Sequence, residues 1–258
     1  MDIYTDIGSM PFMERAVITL GTFDGVHVAH KAILKEVCLS AENINGKSVL
    51  VSFDTHPRKV IDPNFVLNIL TTTEEKNEIF RQIGINTIIY INFNSNIAKT
   101  GYVEFISFLT QKIDIKKIVL GYNHSFGRDK EGNIENLTKL IPNYGFEIAE
   151  IPQQTIDGVK ISSSSIRKAV SNGDFLLANT LLGYNYTVNA RISSFTENNI
   201  FAAAQNTEKI LPPKGKYEVK INNANTLLEI DGDICIQNKN FSCINKKEIT
   251  IEFINKLT

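Results

Sequence analysis

Cysteine is scarce in this 258-residue chain: Cys38, Cys235 and Cys243 are odd in number and nowhere spaced as CxxC. That argues against a disulfide scaffold and a four-ligand zinc site, and makes a reducing cytoplasm the natural home. Net charge is also missing. Twenty-seven Lys and Arg stand against 28 Asp and Glu, a formal charge of −1, so the broad basic field of a dedicated nucleic-acid binder is excluded and any anion site must be local. No long apolar run opens the chain. Met1 to Arg15 carries Asp2, Asp6 and Glu14 and reads as neither a signal peptide nor a membrane span, so the expectation is a soluble cytoplasmic protein that contacts neither membrane nor nucleic acid. Internal repeats of about 20 to 50 residues are absent, and no GxGxxG follows a strand. Asn45-Gly46-Lys47-Ser48 ends like a P-loop, but Ala41 stands where the first glycine belongs, and the segment leads into a strand instead of a helix.

What is present is a chain with 43% apolar and 21% charged residues, enough to bury a sizeable core in one to two domains. Ala16–Phe23, Ser48–Phe53, Thr87–Phe93 and Lys117–Tyr122 are short, mostly continuous Val/Ile-rich runs, the pattern of strands buried on both faces of a parallel sheet. Between them Ala29–Asn43 sets Ile33, Leu34, Val37 and Cys38 on one side, and Tyr102–Ile113 repeats Val103, Phe105, Ile106 and Leu109 at helical spacing. Strand alternating with helix predicts a doubly wound α/β domain. After Gly183 the texture changes: Tyr186–Ile192, Ile200–Ala204, Tyr217–Ile221, Leu227–Gln237 and Glu248–Phe253 read as strands separated by turn signals such as Pro212-Pro213 and Asn222-Asn223. The division predicted from composition is an α/β domain over 1–184 and a small all-β, barrel-like domain over 185–258.

All four histidines follow predicted strands. His27 and His30 come after the first, His56 after the second and His124 after the fourth. In an open α/β sheet those loops gather at the carboxyl edge, where ligands bind. The densest segment runs from Gly21 through Thr22, Phe23, Asp24, Gly25, Val26, His27, Val28 and Ala29 to His30. A helix opening near Val28 turns its first backbone N–H groups toward this loop, and His27 and His30, three apart, share one side of its first turn. Two imidazoles at such a place suit a phosphate. They would also serve to cap the turn, or as two zinc ligands in want of a third that the cysteines are poorly placed to supply.

The segment resembles the HxGH signature of the nucleotidylyltransferase superfamily, with Ala29 in the glycine position, and its longer form GTFDGVH is similar to that of bacterial FAD synthetases, which are bifunctional riboflavin kinase/FMN adenylyltransferases. Three more segments agree in order and in position: Ser52-Phe-Asp-Thr-His-Pro57 resembles TFxPHP, Gly121-Tyr-Asn-His-Ser-Phe-Gly127 resembles the G-x-(N/D)-F-x-F-G loop, and Ile161-Ser-Ser-Ser-Ser-Ile-Arg167 resembles ISSTxIR. Thr55 replaces a proline of the pattern and His124 its usual phenylalanine.

The resemblance implies transfer of AMP from ATP to FMN, giving FAD and pyrophosphate. It puts His27, His30 and Arg167 in the catalytic role at the ATP phosphates. Gly21, Phe23, Asp24, Gly25, Ser162, Ser163 and Ser164 are placed around the nucleotide, with Ser163 or Ser164 as the helix cap. Phe53, His56, Pro57, Asn123 and Phe126 are placed beside FMN. Mg²⁺ is expected on the nucleotide, held mainly by its own oxygens and water instead of a protein cage. In the family a C-terminal six-stranded barrel phosphorylates riboflavin. Here Asn185–Ile200 lacks a GxxxGRxLGFPTAN-like stretch, about 75 residues follow Gly183, and no convincing catalytic glutamate context appears, although Pro212-Pro-Lys-Gly-Lys-Tyr217 resembles the barrel's PPxGxY turn. The expectation is a reduced barrel without kinase activity. Two alternatives stay open: another HxGH nucleotidylyltransferase with a different phosphate acceptor, and a non-catalytic flavin or nucleotide sensor.

Overall fold

The computed structural model describes residues 1–62, 64, 66, 68–196, 199–237 and 247–257; Cys243 lies outside them. The chain divides into two compact units, Met1–Leu67 with Thr73–Gln154, and Asn68–Thr72 with Thr155–Thr258.

The first unit holds strands β1 (Asp2–Tyr4), β2 (Met13–Leu20), β3 (Lys47–Phe53), β4 (Thr87–Ile91), β5 (Ile113–Gly121) and β6 (Glu147–Ile151). Its helices are α1 (Val28–Asn43), α2 (Pro57–Ile61), α3 (Thr73–Ile83), α4 (Ser95–Lys99), α5 (Tyr102–Thr110), α6 (Ile134–Thr138) and α7 (Ile141–Tyr144). The strands form one sheet in the order β1-β4-β3-β2-β5-β6, all pairs parallel. Side chains alternate across it. Val17, Leu50, Ile88, Tyr90 and Val119 face a layer containing Ile33, Leu34 and Val37 of α1 and Phe80 of α3. Ala16, Ile18, Leu20, Val49, Val51, Ile89, Ile118 and Leu120 face a second layer with Phe105, Ile106 and Leu109 of α5. A sheet buried on both sides needs apolar residues at nearly every position, which is why these strands read as continuous runs. Two strands escape the sequence reading. β1 is a three-residue edge strand, and β6, with no fully buried residue, does not look like a buried parallel strand.

Sheet order fixes where a ligand site belongs. The chain leaves β2 toward β3 on one side and, after β4, returns to the other side as β5. The loops beyond the carboxyl ends of β2 and β5 therefore diverge and leave a crevice at the switch point.

In the second unit, β7 (Thr155–Ile156) and β8 (Val159–Lys160) form a small hairpin, α8 (Ser163–Asn172) and α9 (Phe175–Leu182) follow, and β9 (Tyr186–Phe195), β10 (Asn199–Ala204), β11 (Gly215–Ile221), β12 (Ala224–Asp231), β13 (Asp233–Gln237) and β14 (Glu248–Leu257) close a barrel. Alternate residues fill it, among them Val188, Ala190, Tyr217, Val219, Ile221, Leu228, Ile230, Ile249 and Ile251. Asn222 and Asn223 both have positive φ, 50° and 65°, as a two-residue hairpin that follows the strand twist requires. The run read as one strand over Leu227–Gln237 is two: Gly232 at φ 87° turns the chain so that Asp231 pairs with Asp233, and the Asp-Gly signal at that place was the clue.

The change of texture at Gly183 marks the start of the barrel strands, while the compact unit that contains them begins earlier. Packing explains the difference. Phe175 of α9 stacks on Phe253 of β14 with ring centroids 4.8 Å apart, and Asn179 donates from Nδ2 to Phe253 O (2.9 Å) and accepts at Oδ1 from Tyr186 N–H (2.8 Å). Residues Asn68–Thr72 join the same unit through Ile69 N–H to Glu208 O (2.8 Å) and Ile210 N–H to Ile69 O (3.0 Å).

Candidate active site

Strand β2 ends at Leu20, and the next seven residues make a tight loop. Gly21 has φ 155° and Gly25 φ 84°, while Phe23 and the β-branched Val26 are held at φ 47° and 32°, backbone that is costly for such residues and marks a constrained loop. A Cβ on Gly21 would lie 2.9 Å from the Phe23 ring. Phe23 itself, expected beside the nucleotide, is buried. Its ring lies 4.9 Å from that of His30 and meets Phe80 edge-on, so it forms a wall under the histidine.

His27 is the N-cap of α1, with Nδ1 accepting from His30 N–H at 3.3 Å. An imidazole that accepts at Nδ1 is neutral and carries its proton on Nε2. The two rings stack with centroids 3.5 Å apart and planes 14° from parallel. The structure thus supports the turn-capping role and leaves Nε2–H of His27 as the donor for a ligand. Burial pushes His27 from its ordinary 6.5 down to about 4, against the opposing pull of Asp24. His30 is held well below its ordinary value, first by burial and then by repulsion from His27 and His124, where these are protonated, and from Lys76. His124 is lowered to about 4 by burial alone. The ligand-free cluster is therefore uncharged at neutral pH.

Three buried polar atoms find no hydrogen-bond partner among the described residues: His30 Nδ1, His124 Nε2 and Thr19 Oγ1. Thr19 alternates with Val17 on the α1-facing side of β2. Such orphans are rare in folded proteins and call for an explanation, a bound ligand or water being one.

Lys76 of α3 reaches the same loop, a contact that sequence reasoning missed. Its Nζ donates to Thr22 O at 3.2 Å. Burial lowers its pKa from 10.5, opposed by Asp24 and Glu74. Lys76 and Thr22 are 54 positions apart, and nothing in Thr73-Glu-Glu-Lys76 ties that lysine to the loop. Asp24, also buried, lies in the same electrostatic neighbourhood.

The other expected positions are dispersed in role. His56 caps the short α2, accepting at Nδ1 from Arg58 N–H (3.3 Å), with Pro57 in the first turn. Phe53 meets Phe93 edge-on at 4.9 Å. Asn123, exposed with φ 60°, lies in the turn closed by His124 N–H to Gly121 O (2.9 Å). Phe126 is 9% exposed and packs on Phe105 at 5.4 Å, so most of its ring is core.

In the second unit the serine run begins α8. The cap is Ser162, not Ser163 or Ser164: its Oγ accepts from Ser165 N–H (3.1 Å), and Ser165 Oγ accepts from Ser162 N–H (3.1 Å). This reciprocal capping box moves Ser163 and Ser164 into the first turn. Arg167 donates from Nε to Asn68 O at 2.7 Å, which anchors the guanidinium on the backbone. Among the described residues no three His, Cys, Asp or Glu side chains gather as a metal cage, and a cation carried on nucleotide oxygens needs none.

Sheet order, switch point and imidazole pair at the start of α1 define an α/β nucleotidylyltransferase unit, followed by a closed β-barrel. The FAD synthetase family model matches residues 9–165, and the chain belongs to that family. A bifunctional riboflavin kinase/FMN adenylyltransferase of Listeria monocytogenes is 29% identical over 85% of this chain and 69% of its own length. A second Listeria protein, FAD synthetase, is 29% identical over 79% of this chain and 80% of itself. The bifunctional protein of Escherichia coli K12 is 28% identical over 81% and 68%. Among solved structures, a macrolide-efflux protein from Streptococcus pneumoniae shares the fold with a TM-score of 0.84 and 18% identity, covering 99% of this chain and 90% of that one. At that identity the likeness concerns fold alone. No described helix is long and apolar enough to cross a membrane.

Proposed function

We propose that this FAD synthetase transfers AMP from ATP to the 5′-phosphate of FMN, releasing pyrophosphate and FAD, and that it does not phosphorylate riboflavin. The carrying observation is the stacked His27–His30 pair at the start of α1, behind a constrained glycine loop at the switch point of the sheet. FMN phosphate is already anionic at neutral pH, so no general base is required. The protein's task is to align two anions and to neutralise charge on the α-phosphoryl oxygens and the departing pyrophosphate.

In this reading His27 donates from Nε2–H and His30 supplies a second imidazole. Phosphate charge raises both pKa values and draws in protons, so the imidazoles become charge-assisted donors as the ligand arrives. Gly21 and Gly25 keep the loop backbone close to the nucleotide. Ser162, Ser163, Ser164 and Arg167 are assigned to polyphosphate recognition on the family motif, with the Asn68 anchor orienting the guanidinium. Phe53, His56, Pro57, Asn123 and Phe126 are assigned to the flavin side. Mg²⁺ would enter on the triphosphate and supply further charge neutralisation.

Absence of kinase activity rests on the missing glycine-rich PTAN-type stretch. The Listeria relative of similar extent, called only FAD synthetase, fits that reading. The cytoplasm is the proposed location. One assay tests the whole: purified protein with Mg-ATP and FMN yields FAD and pyrophosphate, while a parallel reaction with riboflavin yields no FMN. Failure to form FAD refutes the first half, and FMN formed at a comparable rate refutes the second. Pyrophosphate release with other phosphate-bearing acceptors but not with FMN would reassign the acceptor.

A further inference from the structure

His124 stands where the family pattern usually has phenylalanine, and a phenylalanine would satisfy the packing. The ring lies 6.2 Å from that of Phe126 in a tilted arrangement. Histidine adds a polar atom there, and its Nε2 is buried with no partner among the described residues. Leaving such an atom unmet is expensive, so the substitution is explicable if a ligand meets it.

Topology says which ligand. The Gly121–His124 turn directly follows β5, and β5 pairs with β2 (Ile18 with Ile118), so this turn and the loop carrying His27 and His30 flank one switch point. His124 is near enough to His30 for its charge to be felt there. His30 Nδ1 is also buried and unmet, so each of the two segments that flank the switch point carries one orphaned imidazole nitrogen. Asp24, Lys76 and His27 are the other titratable groups acting on this cluster. Resting on the adenylyl-transfer reading, we propose that His124 is a third substrate-binding imidazole, donating a hydrogen bond from Nε2 to a phosphoryl oxygen at the reacting centre. It picks up no proton until an anion enters, because burial disfavours the imidazolium in the empty site.

The contact could be to the nucleotide or to the acceptor phosphate, and titration of the imidazole distinguishes them. Nitrogen-15 NMR of the intact protein, with His124 assigned by its loss in His124→Phe, is followed against pH alone and with saturating Mg-ATP, FMN or inorganic triphosphate. The expected result is a rise of about one pKa unit or more with at least one of the three probes. A shift with Mg-ATP or triphosphate places the contact on the nucleotide, and one with FMN alone places it on the acceptor.

In steady-state assays His124→Phe, which keeps a packing ring, should lower kcat about tenfold to a hundredfold. His124→Gln, which keeps an N–H donor without titrating, should recover part of that loss and lose the pH dependence. No pKa shift with any probe, or wild-type kcat in His124→Phe across pH, overturns the proposal. Should the wild-type protein form no FAD, the reading of function fails, while the triphosphate titration still decides whether His124 meets an anion.

Discussion

Acidifying the ligand-free protein from pH 7.5 to pH 5 should destabilise the α/β unit through its buried imidazoles. His27 has an ordinary value of 6.5 and a folded value of about 4. Above pH 6.5 neither folded nor unfolded chain is protonated there, and stability is unaffected. Between 6.5 and 4 the unfolded chain takes up a proton that the folded chain refuses, so stability falls as pH falls. At pH 5 this amounts to about 2 kcal/mol for His27, and His124, with the same pair of values, adds a similar amount. His30 acts in the same direction. A loss of about 4 kcal/mol or more is a large share of the roughly 5–15 kcal/mol that holds a domain folded. Asp114 and Glu36, whose folded values are lowered from 3.8 and 4.5, act mainly below this window.

Because the chain has two compact units, a single whole-protein melting curve is not one transition. The assay is urea unfolding followed by hydrogen exchange of β2 and β3 amides at each pH, corrected for intrinsic exchange. His27→Asn retains a capping side chain and should remove about 2 kcal/mol of the pH dependence. Stability that stays flat or rises on acidification would mean that these imidazoles protonate freely inside the fold, and the burial argument would be refuted.

Replacing His30 by Ala should lower the rate of FAD formation about a hundredfold or more, by removing charge stabilisation in the transition state; unchanged turnover would exclude the role. Lys76→Met should lower kcat/KM for ATP about tenfold or more, with Lys76→Arg recovering part of it, whereas a purely structural lysine would show loss of thermal stability and no selective effect on ATP. Gly21→Ala forces a Cβ to within 2.9 Å of the Phe23 ring at φ 155° and should cost about 1–3 kcal/mol of stability; wild-type protection of the β2 and β3 amides against hydrogen exchange would show that the loop relaxes freely.

Legibility of the fold followed the physics of burial. The apolar stretches of β2, β3, β4 and β5 were readable because a doubly covered sheet demands apolar residues at nearly every position, whereas Asp114 and Lys116 hid the first half of β5, so that Ile113 was read as the end of the preceding helix. β1 and β6 were not, being respectively three residues long and half exposed at an edge. The His27–His30 pair was legible because a strand, a glycine turn and a helix start lie within ten residues. Lys76 was not legible, since its contact with Thr22 closes over 54 positions and depends on α3 packing beside α1. Capping by Ser162 instead of Ser163 or Ser164 turned on one hydrogen-bond register that four successive serines cannot reveal. The orphaned nitrogens of His30 and His124 could be found only once burial was known, although the His-for-Phe replacement had marked the second position.

The choice of imidazoles over permanent cations follows from what the proposed reaction asks of the site. A buried charge must be paired even when no ligand is present, as Lys76 shows by donating to Thr22 O with Asp24 nearby. Neutral imidazoles carry no charge to be paired, although their buried nitrogens still call for hydrogen-bond partners. When a polyphosphate enters, its charge raises their pKa values, and recovering the 2.5 units between about 4 and 6.5 at His27 corresponds to about 3 kcal/mol of preference for the imidazolium, which adds to binding in full only at acid pH, where the occupied site takes up the proton. Acidification then has two opposite effects with one cause: the empty protein loses stability while its affinity for the anion rises. When pyrophosphate leaves, the protons leave with its charge, and the site returns to the uncharged state in which it is most stable.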